Sequence, residues 1–289
     1  MKIIAPEAMG VVYRMPISDL HPHPLNPYVV RDDLPMQELI ESVQKSGVLV
    51  PAIARPMDSG GYQLISGHRR KKASELSGLD YMPVIVSSLT DDEAIILLVD
   101  SNIQREDILP SERAKAYKLK MDAVKRQGKR TDLSSPNVSA KFRTDDKIGE
   151  NERISGDTVR NYIALNDLIP ELLQMVDEKK IALSPAYQLS RLPEDEQLIL
   201  LETIESEQAT PSLSQALRMK KLSQEGGLNE DTMLAIMCEQ KKPVKADITL
   251  SGDKLKKYFP KSYSPMQMEA IIFKLLEAWQ KKRQRDQCR

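Results

Sequence analysis

The sequence is poor in cysteine, in aromatic residues and in long apolar runs. Among its 289 residues there are two cysteines, Cys238 and Cys288, and aromatic residues make up 4% of the chain. Two cysteines so late in the chain exclude a disulfide framework and a cysteine-based zinc site. The longest apolar run, residues 94–99, is far shorter than the roughly 20 residues that a membrane-spanning helix needs.

Neither positive nor negative charge is in excess. Lysine and arginine number 42, and aspartate and glutamate number 42, so the formal net charge is zero. This balance argues against a uniformly basic nucleic-acid binder, although it does not exclude a local basic patch. Because the first residues lack the long apolar stretch of a secretory signal, we expect a cytoplasmic protein with no membrane partner.

The charges are segregated along the chain. Residues 1–110 hold 10 basic and 15 acidic side chains, whereas residues 111–190 hold 15 basic and 12 acidic ones. One segment, residues 113–130, has eight basic side chains against the single acid Asp122, and the last nine residues are also basic. An isolated run of this kind is usually a solvated helix face. Two such runs on either side of a helix-turn-helix candidate favour contacts with phosphates.

Hydrophobic periodicity predicts an α+β N-terminal domain, an all-α middle domain and a mostly helical C-terminal segment. The predicted boundaries are 1–108, 109–225 and 226–289. In the first domain we predict strands at 11–16, 48–55, 62–65 and 82–86, helices at 34–45, 68–77 and 91–100, and a proline-rich loop at 20–27. The final segment contains a strand candidate at 246–250 and helices at 252–258 and 264–284. An apolar stripe on the last helix suits a dimer contact or local core: Ile271, Ile272, Leu275, Leu276 and Trp279.

The first chemical motif lies where a strand enters a helix through a Ser-Gly turn. Ser66 and Gly67 precede a helix whose first turn is His68, Arg69 and Arg70. Glycine allows a tight turn, a helix N-terminus favours anions, and arginines donate bidentate hydrogen bonds to phosphate. The motif therefore predicts a phosphate site, with a basic surface helix after a turn as the equally balanced alternative.

The second motif is a dense polar cluster at the end of a helix. It includes Ser101, Asn102 and Arg105. Asparagine can hold a divalent metal beside nucleotide phosphates, and Arg105 can add a phosphate contact. The alternative is a helix end that Asn102 caps.

The third motif predicts a helix-turn-helix over residues 147–165. Ser155 is an N-cap candidate for a second helix that carries Val159 and Ile163 on its buried side. Arginine and asparagine at the start of such a helix read guanine and adenine edges in the major groove. The predicted DNA-binding residues are Ser155, Gly156, Asp157, Thr158, Arg160 and Asn161. The alternative is an ordinary pair of packed helices.

Together with a Gly-x-x-x-Pro-x-x-x-Arg pattern at Gly47, Pro51 and Arg55, the first two motifs resemble the three boxes of the ParB/RepB partition-protein family. The resemblance implies a ParB/sulfiredoxin-like fold for the N-terminal domain and binding of CTP with Mg²⁺. The residues implied to bind the nucleotide are Gly47, Val48, Pro51, Ser66, Gly67, His68, Arg69, Arg70, Ser101, Asn102 and Arg105. Asn102 is the implied metal contact.

The sequence departs from the family pattern at two of these positions. His68 stands where glutamate is common, and Ser101 stands where the family has the glutamate linked to metal binding and hydrolysis. Since a hydroxyl lacks a carboxylate's charge and basicity, CTP hydrolysis stays undecided and no catalytic residue is assigned.

The implied function is that of a site-specific DNA-binding protein that acts as a CTP-dependent clamp in plasmid, mobile-element or chromosome partition. The implied partners are double-stranded DNA, a second copy of the chain and a ParA-like ATPase. One alternative is a transcriptional regulator with a degenerate nucleotide site. Another is an enzyme on the same N-terminal fold, such as a kinase or nuclease. A sulfiredoxin-like reductase is disfavoured because the Ser66–Arg69 turn has no cysteine.

Overall fold

The computed structural model describes residues 11–105, 108–131, 144–239, 258–260 and 263–287. The chain divides into two compact units, one ending at Glu239 and the other beginning at residue 240. The predicted boundary at residue 226 therefore falls inside the first unit. The predicted strand at 246–250 and all but the last residue of the predicted helix at 252–258 lie outside the described residues.

The first unit begins with a five-stranded mixed sheet. Its strands are β1 (Val12–Pro16), β2 (Leu20–Pro22), β3 (Ala52–Pro56), β4 (Tyr62–Ser66) and β5 (Tyr81–Val86). Their order across the sheet is β1-β5-β3-β4-β2, so the predicted β3–β4 hairpin lies inside the sheet. The pairs β1–β5 and β3–β4 are antiparallel, whereas β3–β5 and β2–β4 are parallel. Leu64, Met82 and Val84 form part of its buried core.

Two strand predictions need correction. Residues 20–22, predicted as loop because of their prolines, form the short edge strand β2, since an edge position tolerates the missing N–H of proline. Strand β3 begins at Ala52 rather than at residue 48. The carbonyls of Val50 and Pro51 instead accept hydrogen bonds from the Arg70 side chain, at 2.6 and 2.7 Å.

Three helices belong to the sheet-containing part of the first unit, and side chains cap the start of two of them. They are α1 (Leu34–Ser46), α2 (His68–Leu76) and α3 (Asp91–Asp100). Asp33 caps α1 and Thr90 caps α3, the latter in a reciprocal capping box with Glu93. Helix α3 covers the sheet through a cluster that includes Ile65, Ala94 and Leu98. All three helices were predicted to within one residue at either end.

The rest of the first unit is helical, as the hydrophobic pattern predicts. Its helices are α4 (Pro110–Thr131), α5 (Thr144–Glu152), α6 (Gly156–Ala164), α7 (Pro170–Asp177), α8 (Leu183–Leu189), α9 (Glu194–Glu207), α10 (Leu213–Gln224) and α11 (Glu230–Cys238). A large apolar cluster containing Leu165, Leu172 and Leu200 joins most of them. Helix α4 packs against both α3 and α6, and so connects the sheet-containing part to the helix-turn-helix.

The second unit contains the long helix α12 (Pro265–Gln287). Of its predicted stripe, Leu275, Leu276 and Trp279 are exposed. No helix in the described parts of the chain combines the length and the apolar character needed to cross a membrane.

Candidate nucleotide site and helix-turn-helix

An open cavity of about 570 Å³ brings the first two motifs together. The Ser66–Arg70 turn supplies one part of its wall, and the end of α3 with the following turn supplies another. Eight of the predicted residues line it: Ser66, Gly67, His68, Arg69, Arg70, Ser101, Asn102 and Arg105. The volume is within the range of small-molecule sites.

The N-terminus of α2 forms one side of the cavity, and no side chain caps it. Within the helix, the first backbone hydrogen bond runs from the Lys71 N–H to the Gly67 carbonyl at 2.9 Å, so the preceding N–H groups have no intrahelical acceptor. Gly67 has φ +103°, and a Cβ there would lie 2.8 Å from the Cβ of Ala52. The close turn therefore requires glycine, and it leaves helix N–H groups beside the cavity.

The two arginines of the turn have different surroundings. Arg69 forms a salt bridge with Asp33 at 3.0 Å, and both side chains are partly exposed. Hydrogen bonding to Arg69 is the largest of the effects that lower the pKa of Asp33. Arg70 is partly buried, which lowers its pKa, and its Nη1 donates to two backbone carbonyls. Arg69 is thus the better placed of the two to exchange its partner for a phosphate.

His68 is neutral at physiological pH. Burial is the main cause that lowers its pKa to about 4, and nearby His23 and Lys71 act in the same direction. Within the described part of the chain, its buried Nε2 has no hydrogen-bond partner. Since the His68 side chain carries no positive charge, we expect His68 to contact a phosphate through its backbone N–H at the start of α2.

Ser101 and Asn102 cap the end of α3 and also line the cavity. The Ser101 hydroxyl donates to the Leu98 carbonyl at 3.1 Å, and Asn102 Nδ2 donates to the same carbonyl at 2.8 Å. Asn102 therefore caps the end of α3, as the alternative predicts, and it also lines the cavity. With its amide nitrogen engaged, Asn102 keeps its Oδ1 as an oxygen donor for a ligand.

The cavity also has a wall that sequence reasoning missed. Asn26, Tyr28, Val29, Val30 and Pro35 contribute to its lining. Asn26 Oδ1 accepts from the Tyr28 N–H at 3.2 Å, a turn that the Asn-Pro pair at 26–27 signals. The Val29 N–H donates to Glu112 Oε1 at 3.1 Å, and this contact with the start of α4 spans 83 residues.

The remaining predicted residues of the nucleotide motif lie outside the cavity lining. Gly47 ends α1 with φ 69°, and Val48 packs between two apolar clusters. Pro51 contributes its carbonyl to Arg70. The contact of these three residues with a nucleotide stays a prediction, and in this structure the carbonyls of residues 50 and 51 hold Arg70 of the phosphate turn.

The helix-turn-helix consists of α5 and α6, joined by a tight turn. Ser155 caps α6, accepting from the Thr158 N–H at 3.1 Å. A Cβ on Gly149 would lie 2.6 Å from the Ile154 carbonyl, and one on Gly156 would lie 3.1 Å from the Asp146 Cα. The two glycines therefore permit close packing. Gly156 is buried, and its contact with DNA stays a prediction.

The predicted reading residues of α6 differ in how freely they face solvent. Asp157 is exposed, whereas Thr158, Arg160 and Asn161 are partly exposed. Arg160 forms ion pairs with the buried Asp145 and with Asp157. No hydrogen bond joins the Asn161 side chain to another residue of the described ranges. Asn161 is therefore available to a ligand without the loss of an internal contact.

Comparison with known families agrees with these motifs. The ParB N-terminal domain family matches residues 4–103. The chromosome-partitioning protein Spo0J of Thermus thermophilus is 29% identical over 218 residues, which cover 75% of this chain and 74% of the relative. Residues 4–103 therefore form a ParB N-terminal domain, and the chain resembles ParB and Spo0J partition proteins over three quarters of its length. The resemblance carried by the three ParB boxes is thereby confirmed at the level of the family.

Two solved ParB structures are similar to this chain, with TM-scores below 0.5. The C-terminally truncated ParB from Caulobacter crescentus complexed to the centromeric parS site has a TM-score of 0.45 and 21% identity, over 79% of this chain and 100% of that chain. The same protein complexed with CTP-gamma-S has a TM-score of 0.32 and 24% identity, over 68% of this chain and 99% of that chain. The ParB assignment therefore rests on the sequence matches.

Proposed function

We propose that this ParB-like chain is a site-specific DNA-binding partition protein whose N-terminal cavity binds CTP. The observation that carries the proposal is that the Ser66–Arg70 turn lines one cavity together with Ser101, Asn102 and Arg105. This cavity lies in the same compact unit as a well-formed helix-turn-helix. A nucleotide site and a DNA-reading element in one unit suit a protein whose DNA binding responds to nucleotide.

The cavity suits the phosphates of a nucleotide. Unpaired N–H groups at the start of α2 and the positive end of its helix dipole favour an anion there. Arg69 and Arg105 add positive charge to the wall, and Arg69 is held in place by Asp33 until a ligand competes for it. Preference for the cytosine base is inferred from the ParB resemblance.

The helix-turn-helix suits the major groove of double-stranded DNA. At the polar start of α6, Asp157 is exposed to solvent, and Thr158 and Asn161 are partly exposed. Val159 of the same helix is fully buried. Asparagine can form a bidentate contact with adenine. Exposed Lys115 and Lys118 on α4 supply cations for phosphate contacts. A homodimer, closed as a clamp by CTP, and a ParA-like ATPase stay predictions of the ParB resemblance.

The experiment that tests this function is genome-wide enrichment of DNA bound to the protein in its native host. Wild-type protein is compared with Asn161→Ala in α6 and Arg69→Ala in the cavity. We expect wild-type protein to enrich a discrete site and its flanks, Asn161→Ala to lose the site, and Arg69→Ala to keep the site but lose the flanks.

The results also separate the alternatives. A wild-type peak with no flanks, unchanged by Arg69→Ala, supports a transcriptional regulator with a degenerate nucleotide site and contradicts the clamp. No enriched site at all contradicts DNA recognition. Asn161→Ala is preferred to Arg160→Ala because Arg160 neutralises the buried Asp145, so its loss destabilises the fold as well as any DNA contact.

A further inference from the structure

The lining of the cavity is rich in cations and has no carboxylate among its described residues. Arg69, Arg70 and Arg105 belong to the lining, and its other members are neutral. His68 adds no charge of either sign at physiological pH, because its pKa is lowered to about 4. A cavity with this composition attracts a polyanion and repels a free metal cation.

Three described carboxylates next to the lining residues are already engaged by cations, and Glu106 and Asp107, which follow Arg105, lie outside the described residues. Asp33 pairs with Arg69 at 3.0 Å, and Asp100, which precedes Ser101, pairs with the buried Lys120 at 2.5 Å. Glu112 pairs with Arg31 at 3.2 Å and also accepts from the N–H groups of Val29 and Leu109. A metal ion would have to displace an arginine or a lysine to reach any of the three.

The remaining oxygen donors are few and neutral. Ser101 Oγ donates to the Leu98 carbonyl and accepts from Asn102, and Asn26 Oδ1 accepts from the Tyr28 N–H. Asn102 Oδ1 and the hydroxyls of Ser66 and Tyr28 are left as neutral oxygens among the described lining residues. Mg²⁺ in protein sites is usually held by one or two carboxylates besides phosphates and water. In the described ranges, no three His, Cys, Asp or Glu side chains come together as metal ligands. The donor set of the described residues does not fit the Mg²⁺ that the family resemblance implies.

We propose that this cavity binds the nucleotide triphosphate through its arginines and the α2 N-terminus, without requiring a divalent cation. This inference rests on the proposed CTP binding. The arginines take the place that Mg²⁺ has in carboxylate-containing sites, because both neutralise phosphate charge. Ser101 is the residue that determines whether the cavity needs a metal ion. A glutamate at this position would place a carboxylate beside Asn102 and provide a metal-binding pair.

The test is a calorimetric titration of the full chain with CTP, once with excess Mg²⁺ and once with EDTA. We expect the wild-type dissociation constant to weaken by no more than about threefold in EDTA, and that of Ser101→Glu to weaken by at least about tenfold, because its new carboxylate then repels the phosphates. Ser59→Glu, which adds the same charge at an exposed turn outside the cavity, controls for net charge.

Each result decides. If the dissociation constant of wild-type protein for CTP weakens by more than about threefold in EDTA, the inference is wrong and the proposed CTP site stands. If CTP binds in neither condition, the proposed CTP function fails, and this inference fails with it. Asn102→Asp supplies a carboxylate at the neighbouring position if Ser101→Glu does not fold, and the wild-type comparison decides without either variant.

Discussion

At the scale of single residues, the departures from the ParB pattern change the charge of the site without altering its framework. His68 takes the first position of α2, where the family commonly has glutamate, and the turn still places Gly67 and Arg69 beside the cavity. Its imidazole is kept neutral by burial. This residue therefore removes a negative charge from the phosphate site and adds a group whose protonation opposes folding.

The depressed pKa of His68 predicts lower stability in mild acid. Its pKa is 6.5 in the unfolded chain and about 4 in the folded one, so the unfolded state binds the proton first as the pH falls. Stability that is present above pH 6.5 is then lost progressively down to about pH 4. We expect the free energy of unfolding to fall between pH 7 and pH 5, with His68→Gln reducing that fall by on the order of 1 kcal/mol.

Urea unfolding at several pH values measures this effect. His23 is also buried with a lowered pKa, so part of the acid sensitivity persists in His68→Gln. Exposed His21 provides the matched control, and His21→Gln should follow the wild-type curve. Equal pH dependence in wild type and His68→Gln would show that the imidazole is not buried as described.

The residues of the phosphate turn were predictable because their chemistry is local. A strand, a glycine with positive φ and a helix beginning with arginines lie within nine residues, Tyr62–Arg70. The opposite wall at Asn26–Val30 was not predictable, because it is held by Glu112 from α4. Likewise, nothing local distinguishes Arg69 from Arg70, whose different roles depend on Asp33 and on the carbonyls of residues 50 and 51.

At the scale of helices and strands, a buried lysine joins the nucleotide motif to the helix-turn-helix. Lys120 of α4 is 2% exposed and forms ion pairs with Asp100 at 2.5 Å and Glu152 at 2.8 Å. Asp100 ends α3 directly before Ser101, and Glu152 ends α5. A single cation therefore holds together three helices that belong to the two functional parts.

Replacing Lys120 by methionine should destabilise the first unit strongly. The change keeps most of the apolar length but leaves Glu152 buried without its cation, a situation that typically costs about 3–5 kcal/mol. Thermal and urea unfolding measure the loss. Lys118→Met is the matched control, because Lys118 is exposed on the same helix and should cost little. A Lys120→Met protein as stable as the control would contradict the buried ion pairs.

The turn between α5 and α6 makes a second prediction at this scale. Gly149→Ala places a methyl group 2.6 Å from the Ile154 carbonyl and 3.0 Å from the Gly156 nitrogen, both of them backbone atoms that cannot move aside singly. We expect a loss of about 1–3 kcal/mol, the usual cost of overpacking, together with weaker DNA binding. Gly227→Ala, whose Cβ would meet only Leu222 at 3.8 Å, should leave both quantities unchanged.

Circular dichroism melts and DNA-binding titrations on the two glycine variants check this prediction. Loss of DNA affinity in Gly149→Ala without loss of stability would be inconsistent with the packing explanation. The presence of the helix-turn-helix was predictable from its capping serine and its buried stripe. The need for both glycines was not, since it comes from the crossing of the two helices.

At the scale of the whole molecule, the zero net charge conceals separate acidic and basic regions. The first 110 residues carry an excess of acid, and exposed cations lie along α4, including Lys115, Lys118 and Lys125. Many of the other cations are paired, as Arg160, Arg55 and Lys71 are with nearby acids. Binding to DNA should therefore depend on a few placed contacts.

This distribution predicts a limited salt dependence. Fluorescence anisotropy with the enriched DNA site should give a slope of log K against log salt shallower than about −9, the value for ten neutralised phosphates. A mutated site of equal length should bind more weakly at every salt concentration. A steeper slope with no preference for the enriched site would point to general basic attraction and contradict recognition by α6.

The order of the parts was also predictable at this scale, because the change from alternating strand and helix signals to helical signals alone is visible in the sequence. The position of the division between the compact units was not. Helix α11 has an ordinary apolar pattern. Its packing against α9 and α10, with Met233 and Ile236 in the large helical cluster, places it in the first unit.

Nucleotide binding by the N-terminal cavity is tested most directly by a calorimetric titration of the full chain with CTP, ATP and GTP. We expect CTP to bind with the highest affinity. We also expect Arg69→Ala to weaken CTP binding by at least about tenfold, since it removes a charged phosphate contact. Arg14→Ala in β1, which removes the same charge outside the cavity, should bind CTP as the wild type does. Failure of the wild-type protein to bind any of the three nucleotides would contradict the account.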